Sequence, residues 1–126
     1  MANETTARIE SELEVKAYIQ NLKYALNHGA KIEFQAKREL LLLNVEDYIQ
    51  TVKDIRFPKR SEMREFGKVY NGKDDVYIKI RVELLGMYGQ TTTFVMSFHF
   101  AEKAFTSDMF PYKSRRCFRG DEEYKK

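Results

Sequence analysis

A chain of 126 residues, 43% apolar and 33% charged, has the size and balance of one compact domain with a core of its own. No apolar run reaches membrane-spanning length and Met1-Ala2-Asn3-Glu4 lacks a signal-peptide pattern, so no membrane partner is expected. The net charge is +3; one cysteine, Cys117, rules out an internal disulfide, and with only His28 and His99 beside it a structural zinc site lacks ligands.

A lone thiol fits a reducing compartment, and a cytoplasmic location is expected. Charge is unevenly spread. Residues 1–50 carry 6 basic and 8 acidic side chains, whereas residues 51–126 carry 16 basic and 11 acidic. The second stretch is therefore the expected contact for a polyanion.

Residues 1–10 read as a flexible polar end, followed by a single domain over 11–113. Ser11-Glu12-Leu13-Glu14 is a capping box, and Val15, Ile19, Leu22 and Leu26 then form one helical stripe that Gly29 can close. Lys31 to Gln35 alternates briefly, as a short edge strand or an extended connector would. The leucine run Leu40–Leu43 predicts a short buried helix. Asn44, with Glu46 and Asp47 behind it, predicts a second cap and a helix carrying Tyr48, Ile49 and Val52 inward as far as Pro58. Lys53, Arg56, Lys59, Arg60 and Arg64 make the following connection the most basic in the chain. It reads as an exposed loop and as a phosphate-contacting rim.

Glu65 to Tyr70 reads as a strand, Asn71-Gly72 as a hairpin turn, and Val76 to Glu83 as a strand with Val76, Ile78, Ile80 and Val82 on one side. After a turn at Gly86-Met87-Tyr88-Gly89, Phe94, Met96, Phe98 and Phe100 share a side of a third strand; the phenylalanines are expected in the core. Pairing of the last two strands would gather Tyr77, Lys79, Arg81, Ser97 and His99 on one open face. Pro111 fixes an extended turn, and Ser114–Lys126 reads as a flexible charged tail that includes Cys117. The fold class is α+β, an N-terminal helix or helices packed on a small antiparallel sheet in meander order.

The elements Val45-Glu46-Asp47-Tyr48, Glu65-Phe66-Gly67-Lys68, Val76-Tyr77-Ile78-Lys79-Ile80, Val95-Met96-Ser97-Phe98-His99 and Phe110-Pro111-Tyr112-Lys113 follow in order from about Glu14 to Lys113. Together they resemble MqsR-type toxins of bacterial type II toxin–antitoxin systems, especially the short Gram-positive relatives. The resemblance implies a RelE-like fold and an endoribonuclease (an mRNA interferase, a hydrolase) that works without metal or other cofactor. It also implies a cognate antitoxin protein as partner. Tyr77 and Lys79 match the family's Tyr-x-Lys strand, and His99 and Lys113 match its Ser-Phe-His and Pro-Tyr-Lys elements. Phe100 departs from the pattern, which calls for proline after the histidine.

Cleavage of RNA by its own 2′-hydroxyl needs a base for that proton, an acid for the leaving 5′-oxygen and cations for the charge on phosphorus. His99 brings an imidazole, the side-chain type suited to acid–base work at neutral pH, Lys79 and Arg81 can grip a phosphate, and Tyr77 can donate a phenolic proton. The expected catalytic set is Lys79, His99 and Tyr77. RNA binding is expected of Arg81, Lys68, Tyr70, Lys103 and Lys113, with single-stranded mRNA, free or on the ribosome, as substrate. The same features suit a non-enzymatic RNA- or protein-binding module, such as a phage or mobile-element inhibitor of a host system. A dimerising regulatory domain is a third fit.

Overall fold

The computed structural model describes residues 5–29, 34–85 and 91–113. Its architecture is α+β, with five strands in the order β1-β2-β3-β4-β5, every neighbouring pair antiparallel. The strands are β1 (Thr5–Arg8), β2 (Tyr48–Asp54), β3 (Met63–Tyr70), β4 (Asp74–Leu85) and β5 (Thr91–Phe100). Helices α1 (Glu12–Asn27) and α2 (Phe34–Leu41) lie between β1 and β2 in the chain.

Helix α1 starts where the capping box predicts, with the Ser11 hydroxyl accepting from the Glu14 amide at 3.1 Å and the Glu14 carboxylate accepting from the Ser11 amide at 3.4 Å. Its stripe of Val15, Ile19, Leu22 and Leu26 is buried, together with Leu40 and Leu43, against Tyr48, Phe66, Ile78 and Ile80 of the sheet. Full burial of one such aliphatic side chain stabilises by about 1.5–3 kcal/mol. Gly29, at φ +92°, ends the helix in a conformation that an L side chain resists.

Four expectations are corrected. Thr5–Arg8, within the stretch read as a loose end, is strand β1, paired from Thr5↔Asp54 to Arg8↔Thr51, and Glu10 after it is buried. The helix expected after Asn44 is a single 3₁₀ turn, Val45–Asp47, and the chain then extends as β2. Asn44 and Asp47 form a reciprocal cap that starts the turn, but Ile49, Thr51 and Val52 behind it are β-branched and suit a strand. Helix α2 begins at Phe34, inside the segment read as an edge strand or connector; its residues 31–33 lie outside the described part. Finally, Phe98 and Phe100, expected in the core, are 42% and 76% exposed. They share the helix side with Ile78 and Val76 but stand on the edge strand. The side chain of Phe94, the turn at 86–89 and the tail after Lys113 lie outside the described part.

The β3–β4 hairpin forms as the sequence predicts. Asn71 and Gly72 both take positive φ, 56° and 68°, and the Lys73 amide donates to the Tyr70 carbonyl across the turn. After β5 the chain folds back onto the sheet's other side. The Ala101 amide donates to the Asp75 carbonyl and the Phe105 amide to the buried Asp75 carboxylate at 2.7 Å. Phe105 and Phe110 then bury themselves with Ile49, lying so close over Gly67 that a Cβ there would stand 2.8 Å from Phe110 and 2.9 Å from Phe105. That segment covers one part of the second face and leaves the rest open.

Candidate functional site on the open face

Strand alternation sends Ile78 and Ile80 toward the helices and Tyr77, Lys79 and Arg81 the other way. The register then lines up partners across the sheet. Gln50, Glu65, Lys79 and Ser97 make one transverse row over four strands, and Tyr77 and His99 pair in the next row. A break in the β2–β3 register between Tyr48 and Gln50 lets Ile49 and Gln50 both contribute to this side.

Gln50, Glu65, Tyr77 and Lys79 line a groove of about 370 Å³, bounded by Ile9, Ile49, Asp108 and Met109. Its floor is Glu65, buried, with its carboxylate accepting from the Gln50 side-chain amide at 3.0 Å. Burial, helped by the negative charges of Glu65 and Asp75, pushes the Tyr77 phenol above its ordinary value, so it stays protonated at neutral pH. Lys79 has no carboxylate within ion-pair distance among the described residues, which leaves its ammonium available to an anion. On β5 the His99 imidazole is exposed, and its Nε2 lies 3.0 Å from the Ser97 hydroxyl.

Tyr77, Lys79, Arg81, Ser97 and His99 thus come from one side of one hairpin. Two of the remaining expected RNA contacts, Lys68 and Tyr70, do not join them. Lys68 and Tyr70 extend from the helix side of β3: the Lys68 ammonium pairs with the Asp47 carboxylate at 3.2 Å, and the Tyr70 hydroxyl donates to Glu39 of α2 at 2.9 Å. Both hold the helical layer on the sheet. Lys103 and Lys113 are exposed in the segment after β5. His28 is stacked on Tyr24 and bonded through Nδ1 to the Tyr24 carbonyl at 2.7 Å, a helix-end contact.

Comparison with protein-family models, with curated proteins and with solved structures finds no match to this chain. Function must therefore be read from the groove itself. Glu65 is the residue that sequence reasoning missed. Alternation in Arg64-Glu65-Phe66 puts it opposite to Phe66, but its place beside Lys79 follows from the three-residue loop Asn71–Lys73; a two-residue Asn71-Gly72 turn would have set it against Ile78.

The arrangement offers a carboxylate on β3, an ammonium and a protonated phenol on β4, and an imidazole on β5. Glu65 and His99 stand two strand spacings and one row apart, roughly 12 Å between backbones, with Lys79 and Tyr77 between them. Such a set can bind an anion centrally and move protons at either side of it.

Proposed function

We propose that the chain is an endoribonuclease toxin of the MqsR type, RelE-like in fold, acting in the cytoplasm on single-stranded mRNA and held in check by a cognate antitoxin. The observation that carries this reading is the β4–β5 register, Tyr77↔His99 and Lys79↔Ser97, which sets imidazole, ammonium and phenol on one open face. Helices packed on an antiparallel sheet are compatible with the general α+β class that the resemblance implies.

In this reading the scissile phosphate sits over β4. Lys79 and Arg81 neutralise the charge that builds on the non-bridging oxygens. Glu65, or His99 in its neutral form, takes the proton of the 2′-hydroxyl as that oxygen bonds to phosphorus. The bond to the 5′-oxygen breaks, and protonated His99 or the Tyr77 phenol returns a proton to it. The products are a 2′,3′-cyclic phosphate and a free 5′-hydroxyl, and no metal or other cofactor takes part in the scheme.

The test is incubation of purified protein with single-stranded RNA in EDTA, with and without ribosomes. Cleavage is expected, and Lys79→Ala and His99→Ala each should lower it by about 10²–10⁴-fold while leaving the fold intact. Intact RNA in both settings, with folded protein, would overturn the reading.

A non-enzymatic protein-binding module is the second reading, and the exposure of Phe98 and Phe100 on an edge strand favours it. It requires a tight protein complex that survives removal of Lys79 and His99.

A further inference from the structure

The β2–β3 connection, residues 55–62, is not used by the cleavage scheme, yet it is built with care. The Lys53 ammonium donates to the carbonyls of Pro58 and Arg60 at 2.9 and 3.1 Å, and the Arg60 amide donates to the Phe57 carbonyl at 2.9 Å. The Ser61 hydroxyl donates to the Val82 carbonyl at 2.6 Å, fastening the loop to β4 one residue beyond Arg81. These bonds hold the loop without help from the side chains of Phe57, Lys59 or Arg60, which make no hydrogen bond among the described residues. Those three are exposed instead. Phe57 is 44% exposed, with the guanidinium groups of Arg60 and Arg56 over its ring at 4.2 and 5.5 Å.

An ordered loop that presents an aromatic ring with two guanidinium groups over it and a further ammonium has the chemistry of a single-stranded nucleic-acid contact. Its position adds direction. Met63 faces Arg81 across the β3–β4 ladder, two residues from the Glu65–Lys79 pair on the same face. The cations of β4 therefore lead from the groove to the end of the sheet that carries the loop. Arg60 is five residues from Glu65, a reach of at most about 17 Å. A stacked strand, at about 3.4 Å per nucleotide, spans that in about five nucleotides.

Building on the ribonuclease reading of the open face, we propose that Phe57, Lys59 and Arg60 form a second subsite that holds single-stranded RNA as it leaves the groove past Arg81. The loop adds length dependence: a strand too short to reach it gains nothing from these residues. Phe57 and Arg60 stack on a base, and Lys59 contacts a phosphate.

The experiment is fluorescence anisotropy in EDTA with a labelled trinucleotide and a labelled strand of about twelve nucleotides, within the usual range for such sites. The wild-type chain, Phe57→Ala and Lys59→Gln/Arg60→Gln are compared, and circular dichroism checks that each is folded. The longer strand should bind about tenfold more weakly to Phe57→Ala, as loss of one stacked base predicts. The double variant should lower the salt slope by about one to two charges. The trinucleotide should bind all three proteins alike. Equal binding of the long strand by all three overturns the subsite even where the wild-type protein cleaves RNA. A loop-dependent loss of binding without any cleavage supports the subsite and overturns the nuclease reading alone. Binding of anionic phosphatidylserine vesicles through Phe57, with no RNA binding, overturns the assignment to RNA.

Discussion

Lys79 and Glu65 face one another across the β3–β4 ladder, on the side of the sheet away from the helices. The carboxylate is buried and takes a hydrogen bond from Gln50, while the ammonium has no ion-pair partner among the described residues. Such pairings of a buried carboxylate with an ammonium in a groove concentrate at working sites.

Glu65→Gln tests that pair with little change of shape, since the amide oxygen can still accept from Gln50. If Glu65 is the base for the 2′-hydroxyl, RNA cleavage falls by about 10²-fold or more and the acidic limb of the pH–rate profile disappears. Substrate affinity should hold or improve, because one negative charge leaves the groove. The Tyr77 phenol should titrate lower, since the Glu65 charge adds to burial in raising it. A rate within about threefold of wild type would remove Glu65 from the mechanism.

Local signals were legible. The Ser11–Glu14 capping box and the Asn71-Gly72 turn each act over three or four residues, but the loop is Asn71–Lys73, and its third residue shifts the register by one to put Glu65 beside Lys79 instead of Ile78. The side of β4 facing the helices followed from period-2 alternation alone. What escaped depended on distant partners. Thr5–Arg8 (Thr-Thr-Ala-Arg) is too short and too poor in large apolar residues to read as a strand by itself and is extended because β2 offers an open edge. The irregularity at Ile49, which puts two successive residues on the open side, has no sequence mark. Phe98 and Phe100 alternate as core residues do, and only their position at the sheet's edge exposes them.

Gly67→Ala tests how the segment after β5 closes one end of the groove. The new methyl would meet two rings that are fully buried and packed edge-to-face at 5.3 Å, so neither can swing aside. Overpacking of this kind costs about 1–3 kcal/mol, read as a lower urea midpoint. Asp108 and Met109, carried by the same segment, should shift with it, weakening RNA binding along with stability. An unchanged midpoint would mean that Phe105 and Phe110 sit more loosely over the strand.

Phe100→Lys separates edge from core. Phe100 is 76% exposed, so the substitution should change stability by no more than about 0.5 kcal/mol. Ile78→Ala, on the same side of the next strand and fully buried, should cost about 2–5 kcal/mol. Comparable losses for the two, measured by urea denaturation of dilute protein, would show that the outer half of β5 is covered in solution.

Acid stability should be governed by Glu10, where four parts of the chain meet. Its carboxylate accepts from the Thr51 hydroxyl at 2.6 Å and the Arg64 guanidinium at 2.8 Å; its amide donates to the Tyr48 hydroxyl and its carbonyl accepts from Tyr112. Burial disfavours the ionised form, but the hydrogen bonds from Thr51 and Arg64, with the charges of Arg64 and Arg8, outweigh it and hold the carboxyl below its ordinary 4.5. Glu62 is also held low, chiefly by its hydrogen bonds from Arg8. A carboxyl that titrates lower in the folded state binds fewer protons there than in the unfolded chain. Its stabilisation is therefore complete above pH 4.5 and drains away as the pH falls through the folded-state value. The urea midpoint should be flat above about pH 5 and fall below it, and Glu10→Gln should flatten that fall more than Glu62→Gln does, because Glu10 is the buried partner. Arg64→Met leaves the Glu10 charge buried with only the more distant Arg8 near it, 3.9 Å away, and should cost about 3 kcal/mol at neutral pH. That loss should shrink in acid, where Glu10 is protonated, and a loss independent of pH would assign the cost to the packing of Arg64 on the Tyr18 ring instead.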